Sequence, residues 1–238
     1  MIIQHKQFNI YFGDKSDNLT TDYYLNLNQP NLLSLPSFSH LKNKLSIKHV
    51  MFSHQVHGID GHVVTSKFLQ TPAFNLKGDY LITQIPQVGI GVMSADCLPI
   101  IILDTKHNAC AVVHAGWRGS VQKIVIHTLE HLQKICATSL EDVTVIFGPA
   151  AKPCCYEVQE DFAQNIPTKY HNLVFKTRQE KLFFDNTQYN IEQLYEFGIS
   201  KHHIFTEYNI CTMCNTQFCS YRRDKNTARQ MSVVSIAC

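Results

Sequence analysis

Two apolar runs joined by a very short polar link constrain this chain more than any other feature. Residues 98–104, "LPIIILD", are almost unbroken in large aliphatic side chains, and residues 109–115, "ACAVVHA", form a second run. Such a run suits a strand buried on both faces. The link turns at "KHN", residues 106–108, and is too short for the helical crossover that parallel strands need. The pair therefore predicts an antiparallel hairpin. With 238 residues, 45% of them apolar, the chain can bury a core around it without staples.

The rest of the chain surrounds that hairpin. "DYLITQ" and "VGIGVMS" are β-rich runs bounded by Gly and Pro, and "DVTVIFGP" and the closing "MSVVSIAC" read as further strands. "HHIFTEYNI" reads as a strand as well. Val121, Ile124, Val125, Thr128, Leu132, Ile135 and Cys136 fall on one face of a helix. "VQEDFAQNI" and "TQYNIEQLYEFG" predict two more helices, the second stopped by Gly198. Residues 1–45 look polar and irregular, and "LNLNQPNLLSLPSFSH" reads as loop. With no repeat or linker, the expectation is one α+β domain over residues 1–238, a mixed β-sheet with flanking helices.

Composition excludes several functions. A formal net charge of +2 gives no strong field for nucleic acid or membrane. The first residues lack an export signal's apolar stretch, and no run approaches the length of a membrane span. Nine cysteines, an odd number, argue against a full disulfide set and for a reducing, cytoplasmic compartment.

The hairpin carries the chemistry. Cys97 stands just before the first strand and His114 near the end of the second, so pairing through the short turn puts both at one end. Gly116 and Gly119 let backbone N–H groups approach a ligand, the following helix start favours an anion, and Arg118 adds a forked donor for phosphate or carboxylate. A neighbouring thiolate and imidazole can bind zinc, with His54 or His57 of "SHQVHG" as third ligand. They can equally form a Cys–His nucleophile pair, or be a buried Cys beside a hydrogen-bonded His.

The segments "HQVHG", "GDYLIT", "GVMSADCLPIIILD", "VVHAGWRG", "GPAAKPCCYEV" and "CTMCNTQFCSYRRDKNTARQMSVV" resemble, in this order, the YfiH-type proteins. That family is also called laccase-domain or multicopper polyphenol oxidoreductase proteins, and it is described as purine nucleoside phosphorylases and peptidoglycan editing factors. The resemblance runs from residue 50 to the C-terminus. It implies a fold similar to deamidating bacterial toxins and a zinc ion held by His57, Cys97 and His114. Copper fits less well, because a multicopper oxidase needs paired His-x-His motifs and the chain has none. The implied reaction is phosphorolysis of adenosine, inosine, guanosine and methylthioadenosine, with adenosine deaminase activity besides. Purine nucleoside and phosphate are then the partners, with no nucleic acid and no membrane. Alternatives within the resemblance are an amide hydrolase editing peptidoglycan precursors, by cysteine or zinc, and a non-catalytic partner protein. One departure stands out: an N-terminal Thr-Arg-Gly-Gly-type motif is replaced here by "IYFGDKSDNLTTDYYLNLN", without the arginine or the double glycine, and Lys15 can substitute only as a point charge.

Other residues carry two readings each. Asp96 is a general base or a turn cap, and Asp79 caps a turn or orients a ligand. Arg222 binds substrate or makes an ion pair with Asp224. Trp117 stacks on a purine or packs in the core. Asp96, Arg118 and Arg222 are taken as the catalytic and substrate-binding candidates. Cys211, Cys214 and Cys219 suggest a Cys-x-x-Cys metal knuckle, but the chain has no second Cys-x-x-Cys. The adjacent Cys154 and Cys155 read as turn packing, so no second metal is expected.

Overall fold

The computed structural model describes residues 1–17, 19–20, 36–70, 74–225 and 228–237. Its strands, in chain order, are β1 (Ile2–His5), β2 (Phe8–Phe12), β3 (Leu19–Thr20), β4 (His49–Phe52), β5 (Gly61–Val64), β6 (Tyr80–Thr83), β7 (Val88–Ser94), β8 (Leu98–Asp104), β9 (Ala109–Ala115), β10 (Val143–Phe147), β11 (Glu157–Val158), β12 (Phe175–Arg178), β13 (Lys181–Phe184), β14 (Ile204–Phe205) and β15 (Ala228–Ile236). One sheet runs β1-β2-β15-β7-β4, with β3 also on β15, and a second runs β14-β10-β8-β9-β6-β5. A small third sheet runs β11-β13-β12. Parallel pairs (β4 with β7, β5 with β6) lie among antiparallel ones, so both large sheets are mixed, as the α+β reading expects.

The hairpin forms as predicted, with Leu98 opposite Ala115 and Asp104 opposite Ala109. Alternation along it explains the unbroken apolar run. Ile101, Leu103, Cys110 and Val112 face the first sheet and pack on Phe8, Ile10, Ile90 and Val234. Ile100, Ile102, Ala111 and Val113 face the opposite way, onto helices Ile124–Cys136 and Asn186–Phe197. Every side chain of β7, β8 and β9 is buried, because a strand in the middle of such a stack has no wet face. The outer face of the first sheet is covered by helix Pro36–Leu45, through Phe38, Leu41 and Leu45. The layers are therefore helix, sheet, sheet, helices.

Several elements differ from the sequence reading. The described part of residues 1–45 is not irregular: it contains β1 and β2, and residues 36–40 of the expected loop are helical; residues 25–35 of that loop lie outside the described residues. Pro36 opens the helix, where a missing N–H costs no intrahelical bond and the fixed φ suits the first turn. The helix expected after Gly119 is broken by Lys123, at φ 61°, into Trp117–Val121 and Ile124–Cys136. Ile135, expected on the inner face, points outward, 38% exposed. "VQEDFAQNI" makes a 3-10 run over Glu160–Asn165 instead of an α-helix, and "HHIFTEYNI" yields only the two-residue β14. The helix ending at Gly198 is as expected, with that residue at φ 107°.

Candidate metal centre and active-site cleft

The β7–β8 turn and the end of β9 meet where register demands. Cys97 precedes Leu98, which pairs with Ala115, so Cys97 and His114 share one end of the hairpin. His57 arrives from the loop between β4 and β5. The Cys97 Sγ lies 3.8 Å from His57 Nε2, and the ligand atoms of His57, Cys97 and His114 lie within 4.8 Å of one another. The two imidazoles meet edge to face, with ring centroids 4.8 Å apart. Both His57 (φ 61°) and Asp96 (φ 85°) adopt the left-handed backbone region, which non-glycine residues rarely hold without surrounding support. His54, the other candidate of "SHQVHG", is not in the cluster; its backbone pairs instead with Leu76 and Gly78.

Asp79 supplies that support. Its Oδ1 accepts from the His57 amide (3.0 Å) and from His114 Nδ1 (2.8 Å), and its Oδ2 accepts from the amides of Gly58 (2.7 Å) and Val56 (3.2 Å). One fully buried carboxylate thus fixes the loop carrying His57 and the tautomer of His114, leaving His114 Nε2 for the cluster. Asp79 therefore caps the turn and orients His114. Burial alone would raise its pKa, but His114 and the backbone donors outweigh burial and lower it. The same competition acts on the cluster. Burial pushes the Cys97 thiol up, and the His114 and His57 imidazoles bring it down to about 6. Burial pushes His114 down, and Cys97 and Asp79 raise it to about 9. A thiolate and a carboxylate facing one buried ring make a site that favours a cation. Two imidazoles and a thiolate are a donor set for a borderline-soft divalent ion.

Of the three, Cys97 also lines a cleft of about 660 Å³. Trp117, Tyr156 and Tyr221 supply aromatic walls, and Arg118, Arg222 and Lys225 supply cations. The Arg118 guanidinium lies 4.5 Å from the Trp117 ring centre, and the Arg222 guanidinium 4.4 Å from that of Tyr156. Asp96 also lines the cleft, its Oδ1 accepting from Thr212 Oγ1 and its Oδ2 from the Arg222 amide, both at 2.7 Å. The ion pair with Asp224 is made by Arg223, not Arg222, which leaves Arg222 at the cleft. Trp117 both lines the cleft and packs on Phe162, with ring centroids 5.2 Å apart. The helix beside Arg118 runs only five residues, Trp117–Val121, so the anion preference expected of its start falls to the arginines.

Residues 36–237 match the family described as multi-copper polyphenol oxidoreductase laccase. The chain belongs to this YfiH-type family. It is 39% identical over 161 residues to a protein of Aquifex aeolicus named purine nucleoside phosphorylase, covering 68% of this chain and 72% of that one. Its structure matches YlmD from Geobacillus stearothermophilus with a TM-score of 0.77 at 28% identity, over 85% of this chain and 79% of that one. It matches the Bacillus licheniformis hypothetical protein YfiH with a TM-score of 0.82 at 23% identity, over 97% and 93%. In this YfiH-type chain one cation near the cluster comes from a place that sequence reasoning missed. Lys15 pairs with Asp224 at 3.4 Å, whereas Arg229 of β15 lines a second cavity of about 260 Å³ with His57, Cys97 and His114. Gln55, also overlooked, bonds both backbone groups of Met93, donating to its carbonyl and accepting from its amide. Its place in "HQVHG", two residues from His57, was the available signal.

Proposed function

We propose that this protein is a zinc-dependent purine nucleoside phosphorylase, acting as one cytoplasmic domain over residues 1–238. Its substrates are adenosine, inosine, guanosine and methylthioadenosine with inorganic phosphate, and adenosine deamination is a side activity. One observation carries this reading: Cys97 of the His57–Cys97–His114 cluster lines a cleft that pairs aromatic walls with guanidinium groups. The name of the Aquifex aeolicus relative supports the same reaction.

Phosphorolysis needs an anion site, a surface for the purine and a held geometry between them. Arg118 and Arg222 hold phosphate with forked donors, each kept in place by the aromatic ring beneath it. Trp117 and Tyr156 offer flat faces to the base. Asp96 presents a proton-accepting carboxylate beside Cys97, fixed by Thr212 and the Arg222 amide. Asp79 keeps the proton of His114 on Nδ1. His57, Cys97 and His114 would hold zinc, which would supply a Lewis acid there.

The test is a product assay with metal-replete protein and adenosine, with and without phosphate. Adenine and ribose 1-phosphate formed only with phosphate support phosphorolysis, and inosine in both tubes supports deamination. No free base from any of the four nucleosides defeats the proposal. A second reading, a Cys–His amide hydrolase acting on peptidoglycan precursors, is favoured by the Cys97 sulfur lying against two imidazoles at a cleft. It requires metal-free protein to hydrolyse an amide and thiol alkylation to abolish that activity.

A further inference from the structure

The fold completes a second sulfur cluster that the sequence leaves incomplete. Cys211 and Cys214 form the Cys-x-x-Cys, and the missing second pair is supplied by the adjacent Cys154 and Cys155, taken above as turn packing. Cys155 Sγ lies 3.1 Å and Cys154 Sγ 3.5 Å from Cys214 Sγ, and all four sulfurs lie within 4.8 Å of one another. None is disulfide-bonded, and the shortest separation far exceeds the roughly 2.05 Å of an S–S bond.

We propose that Cys154, Cys155, Cys211 and Cys214 bind one structural divalent metal ion of the zinc class, separate from the ion at His57, Cys97 and His114. Four sulfurs at about 2.3 Å from a tetrahedral zinc stand about 3.8 Å apart, and the observed crowding brackets that spacing. The volume within 4.8 Å admits one ion and not a multi-metal cluster. Cys211 is buried while Cys154 and Cys214 are exposed, which places the site at the surface with access for the ion. Binding displaces the thiol protons to solvent.

The position gives the ion a task. The two loops are joined by hydrogen bonds from Ala150 N to Ile210 O and from Thr212 N to Ala150 O. One loop leads to Tyr156 and the other carries Met213, both on the cleft wall, and Thr212 holds Asp96. A four-cysteine centre with no open position fastens these loops and does no chemistry itself.

Metal content of the whole chain, purified without chelator and measured by mass spectrometry, tests this. Two zinc ions per chain are expected, falling to one in Cys97→Ser and to one in Cys214→Ser. Should Cys214→Ser fail to fold, cobalt-loaded Cys97→Ser decides: it retains all four cysteines and is expected to show the intense thiolate charge-transfer and tetrahedral bands of a cobalt tetrathiolate. One ion in the wild type and none in Cys97→Ser overturns the proposal. So does a Cys155–Cys214 disulfide in the purified protein, or a cobalt spectrum lacking those bands.

Discussion

Replacing Asp79 by asparagine changes one atom and tests the architecture of the metal centre. The carboxylate accepts four hydrogen bonds, two on each oxygen. An amide has one oxygen, so its NH2 must face two of those donors. If it replaces Oδ2, the Val56 and Gly58 amides lose their acceptor. A buried donor without a partner costs about 1–3 kcal/mol, so the pair costs roughly 2–6 kcal/mol and loosens the loop carrying His57. If it replaces Oδ1, the NH2 drives the His114 proton onto Nε2, the nitrogen a metal needs. Losing such an outer partner lowers metal affinity about 10- to 100-fold. Either orientation damages the site, by loop stability or by ligand tautomer. Chelator competition on metal-loaded protein, together with urea unfolding, separates the two routes. An Asp79→Asn protein with wild-type metal affinity and an unchanged unfolding midpoint would refute the assignment of Asp79 as the organiser of both histidines.

Arg118→Ala is expected to raise the KM for phosphate about tenfold or more, the loss of one charge-assisted contact of roughly 1.5–3 kcal/mol, and to leave the nucleoside KM within a factor of a few; steady-state kinetics with each substrate varied checks this. Asp17 gives a pH signature: burial, with help from Asp14, raises its pKa to about 6 against the Met231 amide and Tyr11. A carboxyl raised in the folded state contributes stability that is complete below pH 4 and lost as pH rises through 6. Asp17→Asn keeps both hydrogen bonds and removes this loss, so its stability relative to wild type should climb by up to about 3 kcal/mol between pH 4 and 6.5; parallel unfolding profiles across that range would contradict it. Gly91→Ala should cost about 1–3 kcal/mol by overpacking, because a Cβ there would lie 2.4 Å from the Phe52 ring and 2.9 Å from Val233; thermal unfolding measures it.

The hairpin and the Cys97–His114 encounter were legible because they depend only on neighbours in sequence: two apolar runs, a short link and a register. The helix over Pro36–Leu45 was hidden in a stretch rich in Asn, Ser and Pro, although Phe38, Leu41 and Leu45 carry its spacing. Composition spoke for loop and the three buried side chains spoke for helix; docking on the first sheet decided it. Asp79 was ambiguous because a lone Asp before a strand serves a turn as readily as a ligand, and only the approach of His114, 35 residues on, distinguishes them. The pairing of Cys155 with Cys214, 59 residues apart, and the arrival of Arg229 beside His57 come from chain crossings that no local pattern encodes.

The placement of β15 has a kinetic consequence. It lies between β2 and β7, with Val234 opposite Ile10 on one side and Ile90 on the other. During synthesis β2 and β7 emerge long before the strand that joins them, and each waits with an apolar face and an unpaired edge. Loops this long make closure slow, and waiting edges of this kind are sites where nascent chains meet chaperones or one another. A burst of translation at high temperature would therefore threaten yield of this protein through its unfinished first sheet, however stable the finished molecule.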